Sequence, residues 1–138
     1  MHDWLLLIHA AATWFMTGLI WFVQVVHYPL FAGVGRDTWA DYGEKHRART
    51  TFIVMPVMLI ELAAAGWLAA TRTDGLAITG LALLALVWLS TFLVQVPLHA
   101  RLGAGHDAAL MRRLVTTNWL RTIAWTARGV IALLMLTR

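Results

Sequence analysis

The chain has 138 residues, of which 60% are hydrophobic and only 13% charged, with a formal net charge of +4 and no cysteine. An ordinary soluble domain carries about a quarter charged residues, so this much apolar surface calls for a lipid solvent, and the length suits one unit. The lack of cysteine excludes disulfides, thiolate metal sites, iron–sulfur clusters and cysteine nucleophiles.

Four apolar stretches reach the roughly 20 residues that cross about 30 Å of hydrocarbon, and each must be helical because an isolated strand leaves its backbone unsatisfied in lipid. The first covers about residues 4–31. It opens with His2 and Asp3 rather than a basic region and is too long for a signal-peptide core, so it is expected to remain in the mature protein. The following loop, 32–51, carries Arg36, Lys45, Arg47 and Arg49, and the stretch Asp37 to Thr50 is expected to lie along the membrane surface as a short amphipathic helix. The second span, about 52–70, ends in a tight turn from Thr71 to Gly75, and the third runs over about 76–98. The loop 99–118 carries Arg101, Arg112 and Arg113 and a second expected surface helix from Asp107 to Thr117, before a fourth span over about 119–136. Only Arg72 and the terminal Arg138 fall on the other side, so the positive-inside rule makes the two long loops cytoplasmic and both termini non-cytoplasmic. The fold class is all-α, a four-helix transmembrane bundle in one membrane domain. Basic residues confined to short loops reflect topology and do not point to nucleic acid.

A short internal repeat is visible. Val23-Gln24-Val25 leads to Pro29-Leu30 as Val94-Gln95-Val96 leads to Pro97-Leu98, with 95 − 24 = 71 between the glutamines. Thr50-Thr51 opens the second span as Thr116-Thr117 opens the fourth, with 116 − 50 = 66. Such spacing suits two parallel-duplicated helical hairpins, although short matches among common membrane residues also arise by chance.

The polar residues carry the functional information. At about 100° per residue, His9, Thr13, Thr17, Gln24 and His27 fall in one arc of about 80° on the first helix. Trp88, Thr91, Gln95 and His99 form a stripe on the third helix, and Asn118, Arg121, Trp125 and Arg128 another on the fourth. Hydrocarbon cannot solvate these groups, so the stripes are expected to line a shared interior.

Glu61 lies 61 − 52 = 9 residues into its span and Arg128 lies 128 − 119 = 9 into its own, each about 13 Å deep. A hydrogen-bonded pair offsets much of the cost of burying either charge, so the two are expected to meet directly or through water. This pair has a purely structural use, as a register-fixing salt bridge, and a catalytic one, with Glu61 as proton carrier or metal ligand and Arg128 tuning it or binding an anionic substrate group. His9 lies within about two helical turns of Glu61, close enough for a water or metal to join them. His27 and His99 end their helices near Gln24 and Gln95, with His46 in the adjoining loop and Asn118 and Arg121 at the same level. Paired imidazoles suit axial haem ligation, and imidazoles with a carboxylate suit a transition metal, so His9, His27, His99 and Glu61 are the candidate metal ligands. Trp4, Trp39, Trp67 and Trp119 fit interfacial belts, whereas Trp14, Trp21, Trp88 and Trp125 lie deeper and suit either core packing or the wall of a slot for a planar or isoprenoid molecule. Ala63, Ala64, Ala65, Gly66 and Ala69 permit close approach to another helix, inside the bundle or in a second copy forming a homo-oligomer.

The stretch Leu7 to Phe31, with His9, Trp14, Gly18, His27 and Pro29, resembles the opening helix of the haem-binding protoporphyrinogen oxidase and copper-resistance membrane superfamily. The resemblance covers about a fifth of the chain and implies haem or metal binding by His9 and His27. The basic residue that the family places before its distal histidine is absent, which sets the chain apart from porphyrin oxidation. The closing Asn118-Trp119-Leu120-Arg121 and Trp125 to Arg128 resemble the last helix of anthrone-oxygenase-like four-helix membrane proteins.

These observations lead to a small membrane redox protein holding haem or a transition metal in its polar interior. Glu61 and Arg128 are its catalytic candidates, and His9, His27, His99, Gln24, Gln95, Asn118, Arg121 and Trp125 its cofactor-binding set. The expected partners are the lipid bilayer and a hydrophobic small molecule. A non-enzymatic proton or anion carrier, and a structural accessory subunit, are the rival readings, so enzymatic activity is left open. No phosphate loop, dinucleotide fingerprint, nucleophile elbow or paired-histidine zinc helix is present.

Overall fold

The computed structural model describes residues 3–72 and 74–137; His2, Arg138 and Thr73, on which parts of the sequence reading rest, lie outside the described residues. Four helical rods are long and apolar enough to cross a membrane: Trp4–Gly33, Trp39–Arg72, Gly75–Leu102 and Ala108–Leu136. The first consists of α1 (Asp3–Phe22), a π turn (Val23–His27) and a 3-10 turn (Pro29–Gly33). The second is α2 (Trp39–Arg72). The third joins α3 (Gly75–Ser90), a second π turn (Thr91–Gln95) and α4 (Val96–Leu102), and the fourth is α5 (Ala108–Leu136). The rods close a ring in which α1 packs on α2 and α5, and α3 packs on the same two helices.

Two caps start the shorter connections cleanly. Asp74 accepts from the Ala77 amide at 2.9 Å, and Asp107 accepts from the Ala109 and Leu110 amides at 2.8 and 3.0 Å, satisfying N–H groups that a helix start otherwise leaves open. The expected surface helices over Asp37–Thr50 and Asp107–Thr117 are not separate elements; they are the first turns of α2 and α5. The threonines that look like helix starts instead sit inside continuous helix. Thr116 and Thr117 return their hydroxyls to the carbonyls of Arg112 and Arg113, and Thr50 bonds the His46 ring, so none interrupts the backbone ladder.

The π turns have an identifiable cause. A proline ring collides with the carbonyl four residues earlier, which for Pro29 is Val25 and for Pro97 is Leu93. Both carbonyls lie within a widened turn, closed by the Tyr28 amide on Val23 O at 3.0 Å and by the Val96 amide on Thr91 O. The turns and the prolines keep one spacing, 91 − 23 = 68 and 97 − 29 = 68.

The bundle is apolar outside and polar at its centre. Phe52 is 82% exposed and Leu93 71%, and Leu7, Trp67 and Ile123 also point outward, while His9, Thr13, Thr17, Gln24, Glu61, Gln95, Asn118, Arg121, Thr122 and Arg128 are buried. One apolar cluster, around Phe31, Trp39, Leu102 and Leu114, fills the end that carries the long basic loops; a smaller one, Leu68, Ala77 and Met135, closes the opposite end. Several tryptophans depart from expectation. Trp39 belongs to no interfacial belt: it is buried and donates Nε1–H to the Leu102 carbonyl at 2.7 Å. Trp14 and Trp21 face outward, Trp88 is half-buried, and only Trp125 of the deeper four is enclosed, so they do not wall a common slot. Trp14 lies outside because α1 and α5 approach closely at Gly129, where a Cβ would come within 3.2 Å of the Trp14 ring. Ala64 and Ala65 pack inside the bundle, whereas Ala63 faces out.

Candidate functional site

The interior polar groups form two levels, joined by Trp125. At the first, Glu61 and Arg128 pair directly, as their matched depth predicts. Arg128 donates Nε–H at 3.1 Å and Nη2–H at 2.9 Å to Glu61 Oε1, which also accepts the Thr13 hydroxyl at 2.9 Å. Glu61 Oε2 accepts Trp125 Nε1–H at 3.1 Å. Four donor contacts therefore meet the carboxylate, three crowding Oε1 and one on Oε2. Arg128 Nη1 donates to the Gly80 carbonyl, and Nη2 reaches His9 Nε2 at 3.4 Å. Because a guanidinium only donates, His9 accepts through Nε2 and carries its proton on Nδ1, which has no partner among the described residues. The group that joins His9 to Glu61 is thus Arg128, in the position where the sequence reading placed a water or metal.

The indole of Trp125 faces the second level, where the Arg121 guanidinium carbon sits 5.2 Å from its ring centroid. Arg121 Nη1 donates to Asn118 Oδ1 at 3.3 Å, Asn118 Nδ2 donates to Gln24 Oε1 at 2.9 Å, and Gln24 Nε2 donates to the Val115 carbonyl at 3.0 Å. Thr122, which the sequence reading did not single out, adds its hydroxyl to Gln24 Oε1 at 3.2 Å. This chain ties the π turn of the first rod to α5. Gln95 reaches the same helix from the third rod, donating Nε2–H to Thr117 Oγ1 at 3.0 Å.

The histidines gather at the basic end. His27 Nε2 and His46 Nδ1 share a hydrogen bond of 2.8 Å, the His46 and His99 rings lie 5.5 Å apart, and His99 Nε2 meets the Tyr28 hydroxyl at 3.0 Å. Tyr28 is the residue that the sequence reading missed. The π turn advances the chain by one position relative to a regular helix, so Tyr28 takes the inward place assigned to His27, which is only half-buried.

A cavity of about 320 Å³ opens beside this cluster, between α2 and the third rod. Its polar end is formed by Arg121, Gln95, His99, His46, Tyr28 and Arg47. Val54, Met55, Met58, Phe92 and Val96 supply an apolar wall beside Thr50, Thr51 and Thr91, and Phe92 and Val96 stand about half exposed at its rim. Arg121 is 7% exposed and has no carboxylate within ion-pair distance among the described residues. The catalytic candidates Glu61 and Arg128 do not line this cavity, nor do His9, His27, Gln24, Asn118 or Trp125. The polar interior is therefore divided into an ion-pair level and an open level nearer the basic loops.

The candidate metal and haem ligands face other protein groups. Glu61 accepts from Thr13, Trp125 and Arg128, His9 Nε2 faces a guanidinium, and His27 Nε2 and His99 Nε2 each engage a protein group. Among the described residues no three His, Asp, Glu or Cys side chains stand at metal-binding spacing. No protein-family model matches the chain, and neither a curated protein nor a solved structure is significantly similar to it.

Proposed function

We propose that the protein is a multi-pass membrane protein whose cavity binds a lipophilic small molecule through an oxygen-bearing head group drawn in from the bilayer. Apolar outer faces with polar interiors support insertion, since unsatisfied polar groups are costly in hydrocarbon. The excess of Arg and Lys in the two long loops supports a cytoplasmic cavity end, with both termini opposite. The equal spacing of the π turns and prolines supports duplicated hairpins.

The observation that carries the binding reading is Arg121. A buried guanidinium without a carboxylate is costly, and here it borders a space large enough for a small ligand and walled by apolar side chains. An anionic or carbonyl oxygen from the ligand would complete it. The apolar rim at Phe92 and Val96 gives a tail access from the side. Tyr28–His99 and His27–His46 form two adjacent hydrogen-bonded pairs able to hold a proton near that head group.

The test is solvent extraction and mass spectrometry of the wild-type protein and the Arg121→Met variant, purified from the same membranes. The wild type should carry an amphiphile in near-stoichiometric amount and the folded variant should lack it; equal loads would refute the reading. An absorption spectrum of the same sample addresses the haem expectation, because a Soret band would overturn the ligand chemistry argued here.

A further inference from the structure

Among the described residues, two buried polar atoms of the cavity's side chains have no partner, and they are of opposite kinds: Arg121 Nε is a donor and Gln95 Oε1 an acceptor. The orientation of the Gln95 amide follows from its neighbour. Thr117 has one hydroxyl proton, which it gives to the Arg113 carbonyl at 2.8 Å, so its oxygen accepts from Gln95 and draws the amide nitrogen toward it. The amide oxygen is left over on a residue that is 2% exposed. Nothing on the protein side answers either atom, although buried polar groups are nearly always paired.

Resting on the binding reading above, we infer that the ligand's head group carries both a hydroxyl and a second oxygen on an aromatic ring, as in a hydroquinone or related hydroxyarene. The hydroxyl donates to Gln95 Oε1, and the second oxygen, as phenolate or carbonyl, accepts from Arg121. A fatty carboxylate answers Arg121 but sets one acceptor against another at Gln95. An oxidised quinone has acceptors only and meets the same obstacle. Met55, Met58, Phe92 and Tyr28 supply soft and aromatic surface for a ring. The site therefore separates the reduced from the oxidised form of one lipophilic molecule by a single hydrogen-bond donor.

The test is calorimetric titration of the full-length protein in detergent with three probes: decyl-benzohydroquinone kept reduced, decyl-benzoquinone and decanoate, each corrected for micelle partitioning. The hydroquinone should bind about tenfold or more tightly than the quinone, the ratio expected for one unmet buried acceptor. Gln95→Met should abolish the preference with little change in quinone affinity, and Gln95→Glu, which keeps an acceptor, should retain it and serves if the methionine variant fails to fold. Equal binding of hydroquinone and quinone, or tightest binding of decanoate, overturns this inference and leaves the binding reading standing. If none of the three binds, water alone completes the two atoms, and both readings fall.

Discussion

Replacing Arg128 by methionine probes the ion-pair level, because it removes two of the four donors on Glu61 and strands a carboxylate that is 0% exposed. Charge-assisted hydrogen bonds contribute about 1.5–3 kcal/mol each, and removing one member of a buried pair costs about 3–5 kcal/mol because the other charge stays behind. Thr13 and Trp125 continue to donate, while the Gly80 carbonyl loses its Arg128 contact, so Arg128→Met should cost about 4 kcal/mol. The double variant Glu61→Leu/Arg128→Met removes both charges and fills their space with apolar atoms, and should fall within about 1 kcal/mol of wild type. The assay is reversible unfolding in mixed detergent micelles followed by far-ultraviolet circular dichroism, with both singles and the double measured as a cycle. A loss below about 1 kcal/mol for Arg128→Met, or a double variant as unstable as the two singles combined, would refute the reasoning.

The cavity level should respond in the opposite sense. Arg121→Met removes a buried cation that has no carboxylate partner among the described residues, so thermal melting of the ligand-free protein should show a gain of about 1 kcal/mol, and a loss would mean that its Asn118 bond and Trp125 contact already compensate it. Trp39→Phe deletes the bond to the Leu102 carbonyl and leaves that acceptor buried, which should cost about 1–3 kcal/mol in the same unfolding assay. At the start of α5, the Leu110 amide, followed by that of Ala109, holds the Asp107 carboxyl below its ordinary value against a weaker opposing effect of desolvation. A depressed folded value means that the cap is intact above the unfolded carboxylate range and is lost as pH falls through the folded value. Amide exchange at Ala109 and Leu110, corrected for its intrinsic pH dependence, should therefore rise on acidification and in Asp107→Ala at neutral pH, but little in Asp107→Asn; unchanged exchange in the alanine variant would remove the cap from the account.

Glu61 and Arg128 were legible in the sequence because their depth could be counted from the span ends, and only pairing offsets two charges at one depth. The inward faces of α1 and α5 were legible because polar residues repeat there at helical spacing, and Thr13, Thr17, Asn118 and Arg121 are buried as that spacing requires. Periodicity failed where the helix itself changes pitch. Beyond Val23 one additional residue is absorbed, so angular positions counted from α1 no longer hold, and Tyr28 replaces His27 on the inside. The cavity was equally out of reach, since it depends on how far α2 stands from the third rod. His46 was noted in sequence, but its place against His27 and His99 arises only because α2 begins at Trp39, well before the apolar span.

The ion-pair level also bears on how the bundle would divide the two sides of a membrane. Four donor contacts meet the Glu61 carboxylate there, and neither that carboxylate nor its partners Thr13, Trp125 and Arg128 line the hollow at the basic end. In the binding reading proposed above the hollow is a blind vestibule, so a guest entering from the side would exchange protons with one compartment without short-circuiting the gradient between two.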